Sequence, residues 1–168
     1  MFVFEHHTSQ RVAPPAAHSK QKGRKMDYRE QAKDLLSRKK GLTSAYSGII
    51  EELELLEEQK LACKTAAVNS QPQTAELYED RLISILAELE DCRFRLSIVK
   101  HELLKIEKGL NGLSDYYRDI IETFFIEEAD YAADELMERW YKERSSLYRD
   151  RTRALDKFTR CVYGVLQL

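Results

Sequence analysis

Apolar side chains return in alternating steps of four and three along two long stretches of the chain. In the first, Leu42, Tyr46, Ile49, Leu53 and Leu56 keep this rhythm, and Leu35 stands one heptad earlier. Arg38, Lys39, Lys40, Glu51, Glu52, Glu57 and Glu58 mostly fall outside it. One face of an α-helix recurs with this period, so the pattern predicts a helix from Tyr28 to about Thr65. Gly41 and Gly48 each lower helix propensity by up to about 1 kcal/mol relative to Ala, so this helix is expected to be weakest near them. Asn69-Ser70-Gln71-Pro72 then signals a turn within residues 66–74. A second helix is predicted from about Ala75 to Lys108. Its seam runs Ile85, Leu89, Cys92, Leu96, Val99, Leu103, Ile106 and Leu110 without a break, and Asn111-Gly112 closes it as a C-cap.

The two helices match in length, roughly 50 Å each at 1.5 Å per residue. Folding back as an antiparallel hairpin is the simplest way to bury both seams. A parallel dimer through the second seam is the competing solution. Beyond Gly112 the texture changes. Ser114 is a suitable N-cap and Asp115 suits a first turn. Ile120, Ile121, Phe124 and Phe125 form a compact apolar face, and Glu127, Glu128 and Asp130 a polar break. Leu136, Met137 and Trp140 mark a short helix; Leu147, Ala154, Leu155, Phe158 and Val162 mark a longer one. Three helices in so short a span, the last two tightly connected, have helix-turn-helix dimensions. The predicted fold is therefore all-α: a long antiparallel helical hairpin over residues 26–110, then a small helix-turn-helix module over 111–168.

Composition narrows the picture. Charged residues make up 33% of the 168, above the roughly 25% of an average domain, as long solvated helices require. Three prolines and six glycines argue against a loop-rich β-sandwich. Residues 1–25, with Pro14, Pro15 and a run of Lys and Arg ending at Lys25, cannot supply a core and are expected to be unstructured. They read as an extension preceding a natural start at Met26, or as a basic arm. Cys63, Cys92 and Cys161 are widely spaced with no CxxC, which reads as reduced thiols. His6 and His7 have no third ligand nearby, so no metal is expected, and no cofactor motif is present. No apolar run approaches the roughly 18 residues of a membrane span. No signal peptide is evident, so a cytoplasmic protein is expected.

The net charge of −2 hides a division. Between Asp115 and Glu135, eight acidic residues face the single base Arg118. From Arg139 to Arg160, eight bases stand against Glu143, Asp150 and Asp156. Such a basic helix attracts phosphates, and its bland counterpart is a solvated face with local pairs such as Asp156 with Arg160. The residue types sharpen the reading. Arg144, Ser145, Ser146, Tyr148, Arg149, Thr152, Arg153 and Lys157 are predicted at or near the exposed face of the last helix. Arginine can pair bidentately with guanine, whereas Ser, Thr and Tyr commonly reach phosphates.

The stretch Ser145 to Phe158, followed by Tyr163-Gly164, resembles the recognition helix of sigma-factor region-four domains. It is more similar still to small phage and prophage regulators of the RinA and ArpU type, and Asp119 to Phe125 resembles their preceding helix. The resemblance covers roughly Leu113 to Gly164. It implies a non-enzymatic, sequence-specific activator of phage late genes in a bacterial host cell. Double-stranded DNA is then the partner, host RNA polymerase a second candidate, and a homo-oligomer the expected state. Four positions depart from that pattern. Met137 replaces a small residue, Tyr141 and Lys142 occupy a turn often built on Gly or His, and Glu143 replaces a Ser N-cap. Phosphate loops and nucleophile elbows are missing from the sequence. His18 and His101 are lone histidines, and His101 reads as a coil flank. The alternative function is a coiled-coil adaptor or phage assembly protein acting through protein contacts.

Overall fold

The computed structural model describes residues 27–68 and 72–166, with the side chains of 72–76 left aside. The expectations for the N-terminal arm and for His6, His7 and His18 lie outside the described residues, as does the turn at Asn69-Ser70-Gln71. Within them the chain is all-helical. The helices are α1 (Tyr28–Ser37), α2 (Lys39–Val68), α3 (Pro72–Asn111), α4 (Asp115–Ile121), α5 (Ala132–Trp140) and α6 (Arg144–Tyr163). A π-helical turn, Glu122–Glu127, extends α4. No helix is long and apolar enough to cross a membrane among the described residues.

Helices α2 and α3 pair antiparallel along most of their length. Ile49, Leu56 and Cys63 interlock with Ile85, Leu89 and Cys92, flanked by Leu53, Tyr78, Leu82, Leu96 and Val99. The register is fixed by cross-helix contacts: the Cys92 thiol to the Ile49 carbonyl (3.6 Å) and the Cys63 thiol to the Tyr78 carbonyl (3.3 Å). Arg95 with Glu52 and Arg93 with Glu57 close the rim. Burial pushes the Cys92 thiol up in pKa, with the Glu52 carboxylate adding to the shift. This cysteine is therefore a core thiol. The hairpin rather than the parallel seam buries these residues.

The first predicted helix is two helices. It breaks at Arg38, not at Gly41 or Gly48, and α2 runs through both glycines. Continued straight at about 100° per residue, Ala32 and Leu36 would sit off the seam of α2. The break lets Ala32, Leu35 and Leu36 enter a second core. That core also takes Ile106 and Leu110 from α3, Ile120, Ile121 and Phe125 from the α4 segment, Leu136 from α5, and Leu147, Leu155 and Phe158 from α6. The two ends of the described residues close the unit: the Tyr28 N–H donates to the Leu166 carbonyl at 3.1 Å, and the Tyr28 and Tyr163 rings lie 5.2 Å apart.

Gly109 and Gly112 act through packing. A Cβ on Gly109 would lie 2.3 Å from the Phe158 ring and 2.7 Å from Val162, and one on Gly112 would lie 2.5 Å from the Cys161 sulfur. The two glycines, three residues apart at the C-terminal end of α3, form a notch into which α6 presses. The predicted C-cap is also where α3 ends, with the Gly112 N–H reaching the Lys108 carbonyl at 3.3 Å.

Candidate nucleic-acid interface

Helix α5 ends at Trp140, and three residues carry the chain into α6. Tyr141 turns it in the left-handed conformation, φ 52°, with its side chain 94% exposed. Few non-glycine residues adopt that conformation, which costs on the order of 1 kcal/mol or more. Glu143 is the N-cap of α6, yet its side chain makes no capping bond, and no acidic residue occupies the first turn. The opening N–H groups of α6 therefore have no carboxylate of their own.

Two carboxylates hold α4, α5 and α6 together. Asp119 accepts from the Trp140 indole N–H at 2.6 Å and from Arg139, which also bonds Glu135. Asp150 is buried in α6 and accepts from the Tyr116 hydroxyl at 2.9 Å and from Arg153 at 3.1 Å. Burial, then the bond to Asp150, pushes the Tyr116 phenol up to about 12. The Tyr116 ring meets the Trp140 ring edge-on, centroids 5.0 Å apart.

The residues predicted to meet nucleic acid divide into three groups. Ser145, Arg149, Thr152 and Arg153 recur at helical spacing, and all are exposed. Arg160 continues the same line two turns further on. Neither Arg149 nor Arg160 has an ion-pair partner among the described residues. Arg153 is solvent-facing but bound to Asp150. A second group sits to the sides. Ser146 is half-buried, Lys157 rests its ammonium 4.4 Å from the centre of the Tyr117 ring, and Tyr148 leans toward Phe124 with centroids 6.0 Å apart. Arg144 stands alone: its guanidinium turns back onto Asp134 of α5, and that hydrogen bond raises its pKa.

The remaining acid of α6, Asp156, lies on the same exposed arc as Arg149 and Arg160. It is gripped by α1. Arg29 donates to both carboxylate oxygens, Nε at 2.5 Å and Nη2 at 3.1 Å. A bidentate pair of this kind is among the stronger ion contacts. Thus neither acid of α6 opposes Arg149 or Arg160: Asp150 is buried and paired with Arg153, and Asp156 is held from α1 by Arg29.

Helix α1 adds a feature that α6 by itself does not announce. Arg29, Lys33, Phe125, Tyr148, Arg151 and Thr152 line an open cleft of about 470 Å³ between α1 and α6. Arg151 lies over the rings of Phe124 and Phe125, 4.8 and 4.9 Å from their centres. Arg29 and Lys33 are more than a hundred residues from Arg151 in sequence, and no local pattern pairs them. Among the described residues no cluster of His, Cys, Asp and Glu could hold a metal ion. Comparison of the chain with protein-family models, with curated proteins and with solved structures finds no match.

Proposed function

We propose that the chain is a non-enzymatic DNA-binding regulator, with α5 and α6 acting as a helix-turn-helix and α6 as the helix presented to the major groove. One observation carries this reading. The exposed line Ser145, Arg149, Thr152 and Arg160 is left without acidic opposition, because Asp150 is buried and pairs only with Arg153, and Asp156 is held by Arg29. A solvated helix face has no need for such an arrangement, whereas a phosphate-facing one does. Arg149, free of internal pairing near the start of α6, is the residue suited to a base edge. Arg29, Lys33 and Arg151 beside it would follow the DNA backbone. The likeness of Ser145–Phe158 to phage regulators supports a role in activating phage late genes in the cytoplasm of a bacterial host, with RNA polymerase as a further partner.

The test is retention of genomic duplex fragments by the full-length chain at low and at physiological salt, followed by titration of the best fragment. Affinity should fall steeply with salt. Arg149→Ala should cost roughly 1–3 kcal/mol on the selected fragment and relax its sequence preference. Lys157→Ala should weaken all fragments about equally. Arg29→Ala should weaken binding by freeing Asp156, and adding Asp156→Asn should recover part of the loss. Failure to retain any fragment at low salt would end this reading in favour of the adaptor.

A further inference from the structure

Helix α3 has two apolar faces, and only one is used by α2. Ile85, Leu89, Cys92, Leu96 and Val99 point into the hairpin seam. Ile83, Leu86, Phe94, Ile98 and Leu104 remain between 44% and 64% exposed. At about 100° per residue these five share one arc of α3, opposite the seam. The corresponding face of α2 is mostly polar, with Ser44, Ser47, Glu51, Glu54, Glu58 and Thr65, and its exposed Leu55 and Leu61 stand apart from each other. Exposed apolar residues are ordinary when scattered, but a row confined to one helix face is the signature of an association surface.

We propose that this face is the interface of an antiparallel, two-fold symmetric dimer of the chain, α3 against α3, with its axis near Phe94. The charge along α3 selects that orientation. From Leu77 to Asp91 the acids Glu79, Asp80, Glu88, Glu90 and Asp91 outnumber Arg81. From Arg93 to Lys108 the bases outnumber Glu102 and Glu107; Arg93 and Arg95 are paired to α2 and Lys105 to Glu102, which leaves Lys100 and Lys108 without an ion-pair partner among the described residues. An antiparallel pair lays the acidic half of one copy over the basic half of the other, while a parallel pair sets like on like. Asp80 and Lys108 stand fourteen residues on either side of Phe94, and neither has an ion-pair partner among the described residues. The same axis sets Ile83 of one copy opposite Lys105 of the other. There His101, Leu104, Lys105, Lys108 and Val162 line a cleft of about 310 Å³, where α6 passes α3. Covering five half-exposed side chains on each copy removes on the order of 1,000 Å² from water in total, about the lower limit for a specific interface.

The experiment uses the full-length chain with Cys161→Ser, since Cys63 and Cys92 are buried. Sedimentation equilibrium should give a dimer. Phe94→Glu should weaken it by about tenfold or more, with an unchanged helical spectrum. Asp80→Lys should weaken it as well, and adding Lys108→Asp should restore it. Spin labels then fix the orientation. A label at Ser97 should lie within about 20 Å of its copy, whereas labels at Glu79 or Lys108 should lie about 40–45 Å from theirs, at 1.5 Å rise per residue. A monomer at all concentrations, or a dimer unaffected by Phe94→Glu, would overturn the proposal. So would short distances at all three labels, which describe a parallel pair.

Discussion

Between Ile49 and Val99 the two long helices meet through one repeated contact: a buried residue every three or four positions, with ion pairs at the rim. Beyond Ile106, six segments meet at a core that repeats nothing. Around it lie a π-helical turn, an exposed left-handed tyrosine, two glycines pressed against α6, and helix α1. The hairpin is specified by period and tolerates change on its outer faces. The module is specified by particular shapes and particular polar contacts, so equal substitutions should have unequal consequences in the two regions.

The largest difference is expected for Leu147→Asp. Leu147 has no exposed surface, and a carboxylate there would lack a partner. That should cost several kcal/mol, comparable with the stability of a small unit. Hydrogen exchange should show α4 to α6 and α1 losing protection while α2 and α3 keep theirs. Uniform loss along the whole chain would mean that the two cores fold as one.

Next comes the same substitution in both regions. Gly109→Ala should destabilise by about 1–3 kcal/mol, because Phe158 is fully buried and cannot retreat from the new methyl. Gly41→Ala should stabilise by up to about 1 kcal/mol, since nothing lies within 4 Å of its Cβ position. Thermal melts of the pair measure it, and shifts of equal sign would undo the contrast.

Alkaline titration isolates the polar contacts of the module. Tyr116 ionises at about 12 when folded against an ordinary 10.0. Between those values the folded state binds the proton more tightly, so stability should fall as pH rises through this window. Tyr116→Phe should be less stable at neutral pH, having lost the bond to Asp150, and should show a shallower alkaline decline. Parallel decline in both proteins would remove Tyr116 as the cause. The smallest effect is expected at Tyr141→Gly. Relief of the left-handed strain should raise stability by up to about 1 kcal/mol in denaturant melts, because the exposed ring has little packing to lose.

Much of the hairpin could be read from residue order. The seam of α3 was visible from Ile85 to Val99, but helix extends into the predicted loop of residues 66–74 from both sides, α2 to Val68 and α3 from Pro72. The predicted end at about Lys108 fell three residues short of Asn111. Leu35, one heptad before Leu42, is buried as its spacing implied, but in the second core. For α6, period showed which residues face inward: Leu147, Ala154, Leu155 and Phe158 are buried as expected. The grouping of Ser145, Arg149, Thr152 and Arg153 was equally legible, since helical spacing alone aligns them. The withdrawal of Arg144 to Asp134, the capture of Asp156 by Arg29 and the cleft under Tyr148 were not.

The sequence by itself determined what depends on neighbours three and four residues away: which stretches are helical, which face of each is apolar, and where acidic surface gives way to basic. Tertiary structure alone decided what depends on residues distant in the chain. It broke the first helix at Arg38 so that α1 could join the second core, and it made Gly109 and Gly112 a notch for α6 as well as the end of α3. It also brought Arg29 onto Asp156 across more than a hundred residues. A helical period fixes the direction of a side chain around its own axis but carries no record of which other helix lies there. Partners and charges are chosen only when the cores close.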